Sequence, residues 1–383
     1  YAADISSLLT ISSAQKHVVG SDGSIQVVAA NQPAWDWSSG RRRLLIEAAP
    51  ATNSWPYSEA GPAASLGGSG NFTLTATKNG LYGSLYRYAM TATAANQSIM
   101  LWPGNGALSV AAGGRVTFTI ALLAGTRDRA TVGIYGASTA WGGLGDTKKL
   151  VVAGPGVAAQ ADGTLWTVSG LSSTVPTLVS ITRTTAVADT CWPLLYLDAS
   201  GTSKVGDGIA FGRCQFEPGA SATSYIPTTS TAAVTRIADD VRLSAAALAS
   251  VTAPGGTTIV MRGSLVAATG WLAAWGQDAG VLLANAETGT WSLSNLSTGG
   301  PSSTGSLVAF GACAASGPGS AALSVGGAPV GTSSDVFGRT GDLRLGARPN
   351  GDFAASGLHL DELVVWPFAG SDAGIRSQAR AWA

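Results

Sequence analysis

The chain has 383 residues, 22 basic and 22 acidic, and only 11% of them are charged. That length suits two modules plus an N-terminal segment, and the absence of a basic surplus argues against a nucleic-acid binder. Hydrophobic residues reach 45%, much of it alanine, but no apolar run approaches the roughly 20 residues of a membrane helix, so no membrane insertion is expected.

Residues 1–58 read as an extended N-terminal arm that connects to the rest. Because the chain begins at Tyr1 without Met, it is expected to start inside a longer or processed protein. A hairpin is predicted from Lys16–Gly20 and Ile25–Ala29 around the turn Ser21-Asp22-Gly23-Ser24. The run Arg41-Arg42-Arg43 reads as a solvated turn before the apolar Leu44-Leu45-Ile46 strand. Further on, Phe72-Thr73-Leu74-Thr75, Val116-Thr117-Phe118-Thr119-Ile120 and Leu178-Val179-Ser180-Ile181 alternate large apolar residues with Ser or Thr. Period-two patterns of this kind predict half-buried strands. Gly-rich turns punctuate them, as at Pro103-Gly104-Asn105-Gly106 and Pro254-Gly255-Gly256. Short strands with frequent turns imply antiparallel sandwiches.

Residues 59–227 read as a first module, 228–239 as a Thr/Ser/Ala linker, and 240–383 as a second module. Pro367 should end the last strand. Ser371 to Gln378 reads as a short helix capped by Ser371, and helix is expected largely at this end. Cys191, Cys214 and Cys313 are an odd number without CxxC spacing, so core thiols are expected rather than disulfides or zinc.

No constellation in the chain points to catalysis. His17 and His359 stand without ligand partners at metal spacing and read as structural. Asp361 and Glu362 are adjacent in a predicted strand, so their side chains face opposite ways and cannot converge on a glycosidic bond. No Gly-x-Ser-x-Gly elbow precedes a helix, and no phosphate loop is present. Asp278, Glu287, Asp335 and Asp352 are too sparse for a calcium site, so neither metal nor cofactor is expected.

The twelve tryptophans suggest another chemistry. Flat rings stack on the apolar face of a sugar, and Asn, Asp and Arg take its hydroxyls. Most of these rings, including Trp166, Trp192, Trp275, Trp291 and Trp366, are expected in cores. Trp102, Trp141 and Trp271 lie in Gly-rich settings and are the candidate platforms. Asn105, Arg127 and Asp128 are the candidate polar partners.

Two phrases carry a family resemblance. Gln215-Phe216-Glu217-Pro218-Gly219-Ala220-Ser221-Ala222-Thr223-Ser224-Tyr225-Ile226-Pro227-Thr228-Thr229 resembles the "QLE-G-ATSYIPTT" joint of phage and prophage tail proteins. Ala29 to Trp37, Arg43-Leu44-Leu45-Ile46-Glu47, Ala51-Thr52-Asn53-Ser54 and Tyr57-Ser58-Glu59 resemble their "AANVPRFDYD…RGLLIE…ATNLLLYSE" segment. Thr235-Arg236-Ile237-Ala238-Asp239 is similar to their "VTRAAD" run. Gly256 to Gly263, Asp342 to Gly346 and His359 to Trp366 are similar to laminin-G strands.

The resemblance implies an all-β chain of two antiparallel β-sandwiches: a jelly-roll carbohydrate-binding-like module, then a laminin-G/concanavalin A-like module, preceded by the extended arm. It implies a non-enzymatic tail-fibre or spike protein of a phage, prophage or gene-transfer-like particle. Such a protein would be assembled in the bacterial cytoplasm and released. Its expected partners are bacterial surface polysaccharide, other virion proteins and two further copies in a homotrimer. A capsule or cell-wall glycanase and a purely architectural virion part are the competing expectations. Tyr225 and Pro227 are expected to pack at the joint rather than line a ligand pocket.

Overall fold

The computed structural model describes residues 5–59, 66–69, 71–78, 85–95, 99–137, 147–151, 159–162, 165–198, 202–251, 256–266, 269–275, 279–285, 290–293, 296–299, 307–317, 320–327, 331–333, 342–347, 357–366 and 369–380. It is 54% strand and 6% helix, an all-β chain of several antiparallel sheets. Two edge pairs run parallel instead: Thr147–Val151 beside Leu165–Ser169, and Ala159–Asp162 beside Thr177–Thr184.

The first sandwich packs a seven-stranded sheet on a six-stranded one. In the seven-stranded sheet the order is Thr147–Val151, Leu165–Ser169, Arg129–Gly136, Asp189–Asp198, Ile99–Pro103 and Leu66–Ser69, with Leu108–Val110 also paired to Asp189–Asp198. The six-stranded sheet runs Ala159–Asp162, Thr177–Thr184, Arg115–Ala124, Gly208–Pro218, Arg87–Ala92 and Phe72–Thr77. Their shared core holds Phe118, Phe211, Phe216, Leu101, Val132 and Leu195, and the free thiols Cys191 and Cys214 lie in it. In the second sandwich, Val241, Ile259, Met261, Leu272, Trp291, Leu345 and Leu358 form the core.

The N-terminal segment is drawn out in short strands that join distant parts of the molecule. Leu9–Ser12 pairs with Asp240–Leu243, and Arg43–Ile46 pairs with Leu358–Trp366, so Leu9, Leu44 and Ile46 enter the second core. A few residues later Trp55 enters the first core and stacks on Phe118, with ring centroids 5.4 Å apart and planes 4° apart. Between these points Lys16–Val19 and Ile25–Val28 form the predicted hairpin.

The hairpin and the joint cover the outward face of the six-stranded sheet. There Ile25 and Tyr225 pack on Ala121, Leu123 and Ala210. This explains why Thr117 and Thr119, read as the polar side of a half-buried strand, are buried. Their hydroxyls meet those of Thr182 and Ser180 at 3.0 and 3.1 Å.

The C-terminal helix Asp372–Gln378 starts where expected, with the Ser371 hydroxyl accepting from Gly374 N–H. Two other helices lie outside the C-terminal end to which helix was expected to be largely confined: the single turn Ile5–Leu8, and Ala245–Val251, which follows a strand. Its Ser244 hydroxyl accepts from Ala247 N–H at 3.3 Å, the capping signal that marks such a start.

Candidate functional site

With one face of the first sandwich covered, its other outward face is the seven-stranded sheet. Alternation sorts the side chains there. Along Ile99–Pro103, Ile99 and Leu101 face the core, while Met100 and Trp102 face outward. Along Asp189–Asp198, Cys191, Leu195 and Leu197 face the core, while Leu194 and Tyr196 face outward. Tyr135 leaves Arg129–Gly136 on the same side and lies directly opposite Trp192, with their rings 5.8 Å apart and tilted by 34°. Met100, Leu165, Leu194 and Tyr196 are buried, whereas Trp102, Tyr135 and Trp192 are half-buried. Gly133 stands opposite Leu194 on one side and Leu165 on the other. The glycine places no side chain between these two leucines on the face that carries the aromatic rings.

The candidate sugar-binding residues are not all brought to this face. Trp102 is on it, in a strand rather than in the following loop, and Asn105 is exposed three residues later in the turn. Arg127 and Asp128 lie beyond the far end of the Arg129–Gly136 strand. Six residues separate Arg127 from Gly133, roughly 20 Å of extended chain. Arg127 is engaged by Asp207 at 3.5 Å, and Asp128 is exposed. Trp141 and the side chain of Trp271 lie outside the described residues. Trp271 belongs by its backbone to a strand of the second sandwich.

Tyr135, Trp192 and Tyr196 were not among the candidates. Their signal was legible: Trp192, Leu194 and Tyr196 alternate with Cys191, Leu195 and Leu197, so the strand is apolar on both faces. A period-two strand that is apolar on both sides carries large side chains away from the core as well as into it.

A second concentration of polar groups lies at the joint, where the two resembling phrases meet. Asn53 donates to Cys214 O at 3.2 Å and Ile226 O at 2.7 Å, and its carbonyl accepts from Trp55 N–H at 2.9 Å and Phe216 N–H at 3.0 Å. Ser58 N–H donates to the Thr228 hydroxyl at 2.9 Å. Gln215 accepts from Ile226 N–H at 2.7 Å. Glu47 accepts from Ser224, and from Arg236 of the linker. Lys16 pairs with Asp239. Tyr225 is buried, edge-on to His17 with ring centroids 5.4 Å apart. The phrases therefore form one interlock among the N-terminal segment, the closing strand Gly208–Pro218 and the linker. Arg213 sits in that strand with φ +50° where the pairing shifts register, and it donates to His17 O at 3.0 Å. An extra residue at such a bulge re-aims a side chain.

Burial opposes ionisation of Glu47, but Arg236 and Lys16 outweigh it and hold the carboxyl below its ordinary range. Burial, helped by Arg213, lowers His17 to about 4 despite its bond to Tyr225 O. A cavity of about 80 Å³ opens beside the interlock, lined among others by His17, Asp36, Glu47, Arg213, Ser224 and His359. Ligand pockets run to roughly 300–1,000 Å³, so this one fits a few water molecules rather than a sugar ring. Asp361 pairs with Arg43 at 2.9 Å and Glu362 with Arg262, on opposite sides of their strand. Among the described residues no three His, Cys, Asp or Glu side chains converge as a metal set.

No family model and no curated protein matches the chain. Among solved structures, the N-terminal CBM22-1-CBM22-2 tandem domain from Paenibacillus barcinonensis Xyn10C is similar over 89% of this chain and 100% of that chain. The identity is 9% and the TM-score 0.26, a likeness too slight to carry an argument.

Proposed function

We propose that the chain is a non-enzymatic adhesion protein that holds glycans on the outward face of its first sandwich, as part of a phage-like particle. The observation that carries the binding reading is the half-buried trio Trp102, Tyr135 and Trp192 on one sheet face. Partly accessible rings offer stacking area for a pyranose at little entropic cost. Trp141 and Trp271 remain candidate platforms. Binding through so few rings is weak per site, and multivalent display in a homotrimer would strengthen it. The particle context rests on the two resembling phrases, as do release from the bacterial cell and partnership with other virion proteins.

The non-enzymatic part of the proposal is supported by the engagement of the buried acids. Glu47 and Asp239 are tied to cations, and Glu59 and Glu217 to hydrogen-bond donors, all within the interlock. A glycan array of bacterial surface polysaccharides tests the binding, and an assay for released reducing ends on the same polysaccharides tests the chemistry. Retention of at least one polysaccharide with no reducing ends released is expected. Turnover that disappears on changing one Asp or Glu would establish a glycanase instead. No retention on any surface would leave an architectural part.

A further inference from the structure

Thr223 and Ser224 are consecutive, and each closes on one glutamate in the same way. Ser224 donates its N–H to Glu47 Oε1 at 2.6 Å and its hydroxyl to Oε2 at 2.7 Å. Thr223 donates its N–H to Glu217 Oε1 at 3.0 Å and its hydroxyl to Oε2 at 2.7 Å. The two grips differ in what else reaches the carboxylate. Glu47 also meets Arg236, and Lys16 at 3.9 Å. Glu217 instead receives the neutral Gln215 amide at 2.9 Å. Glu59 repeats the second pattern, with Tyr86 N–H on Oε2 at 2.7 Å and the Tyr225 hydroxyl on Oε1 at 2.8 Å.

This difference decides which acid tolerates a proton. A hydroxyl both donates and accepts, whereas a guanidinium or ammonium only donates. A proton on Glu217 Oε2 would be donated to Thr223 Oγ1, and one on Glu59 Oε1 to Tyr225 Oη, with each hydrogen bond reversed rather than lost. A proton on Glu47 would leave Arg236 and Lys16 buried beside a neutral group.

We propose that the joint between the sandwiches is a proton-dependent latch, in which Glu59 and Glu217 bind protons as the medium passes from alkaline to mildly acid and the interlock tightens as they do.

Burial pushes both carboxyls up to about 7, against the opposing bonds from Tyr86 and Tyr225 at Glu59 and from Gln215 and Thr223 at Glu217. The charged and titratable groups facing Glu217 are Glu47 and Arg236; those facing Glu59 are Lys78, Arg213, Cys214 and Tyr225. Between 4.5 and about 7 the folded chain therefore holds protons at these acids that the unfolded chain releases. Their contribution to stability is complete below 4.5 and is lost as pH rises through 7. His17 runs the other way: lowered from 6.5 to about 4, it favours the folded state more as pH rises across that interval. The latch is therefore best read from about pH 6 to 8, where most of the opposing gain from His17 is already complete.

Melting of the unaltered chain and of Glu59→Gln/Glu217→Gln tests this across that range. The unaltered chain should lose roughly 3–5 °C from pH 6 to pH 8. The double variant should lose nothing over the same range and gain slightly from what remains of the His17 effect, because glutamine keeps a carbonyl acceptor and a donor without ionising. Parallel curves for the two proteins would overturn the proposal. Infrared difference spectra of the unaltered chain give an independent reading should the variant fail to fold. A protonated-carboxyl band that fades between pH 6 and 8 is expected, and its absence would overturn the proposal.

Discussion

Replacing Glu47 by alanine is expected to destabilise the chain by about 3–5 kcal/mol, because it strips the buried Arg236 of its paired anion and leaves the buried Lys16 with one anion instead of two. Arg236, Lys16 and Glu47 are all buried. Arg236 reaches Glu47 Oε2 directly, and Lys16 lies 3.9 Å from the same oxygen. Losing the carboxylate also strips the partner from the N–H and hydroxyl of Ser224. Asp239 remains for Lys16, so the ammonium keeps one anion, while Arg236 has the larger loss. Chemical denaturation measures the cost, and limited proteolysis between residues 227 and 239 shows whether the linker is released. A cost under about 1 kcal/mol, the range of an exposed ion pair, would mean that the interlock is water-accessible and incidental.

The second large effect is expected at Trp55, where truncation to alanine should cost about 3–5 kcal/mol through the cavity it leaves. The ring is only 1% exposed and lies flat on Phe118. Its backbone is fixed at both ends: the N–H donates to Asn53 Oδ1 at 2.9 Å, and the carbonyl accepts from the Thr228 hydroxyl at 2.6 Å. Neighbouring backbone has little freedom to collapse into the space, which places the loss toward the upper part of that range. Thermal melting with near-ultraviolet circular dichroism reads it. A loss of less than about 1.5 kcal/mol would show that the N-terminal segment docks loosely on the first core.

These two residues also mark how far the fold was legible in the sequence. Period-two alternation and Gly-rich turns reveal an all-β chain, because a strand's neighbours write its pattern locally. They do not reveal where the N-terminal segment goes. Leu44 pairs with Leu360 across more than three hundred residues, and no local pattern records that distance. The same limit hid the buried ions. Lys16 and Arg236 look like ordinary surface cations until Glu47 and Asp239 arrive from other parts of the chain. The resembling phrases were legible as a joint, and the hydrogen bonds of Asn53, Gln215, Ser224 and Thr228 give the physical content of that reading. Ring exposure was the least legible property. Flanking glycines suggested Trp102 as a loop residue, but it lies in a strand, and its outward position follows from alternation with Leu101.

The most direct test of the account is surface-polysaccharide binding by Trp102→Ala/Trp192→Ala, measured beside its melting temperature. Both rings are half-buried and face away from the first core. Their removal should weaken binding at least about tenfold, as loss of a stacking platform does, while the melting temperature stays within a few degrees of the unaltered chain. Undiminished binding by the folded variant would contradict the account and place any glycan site elsewhere on the molecule.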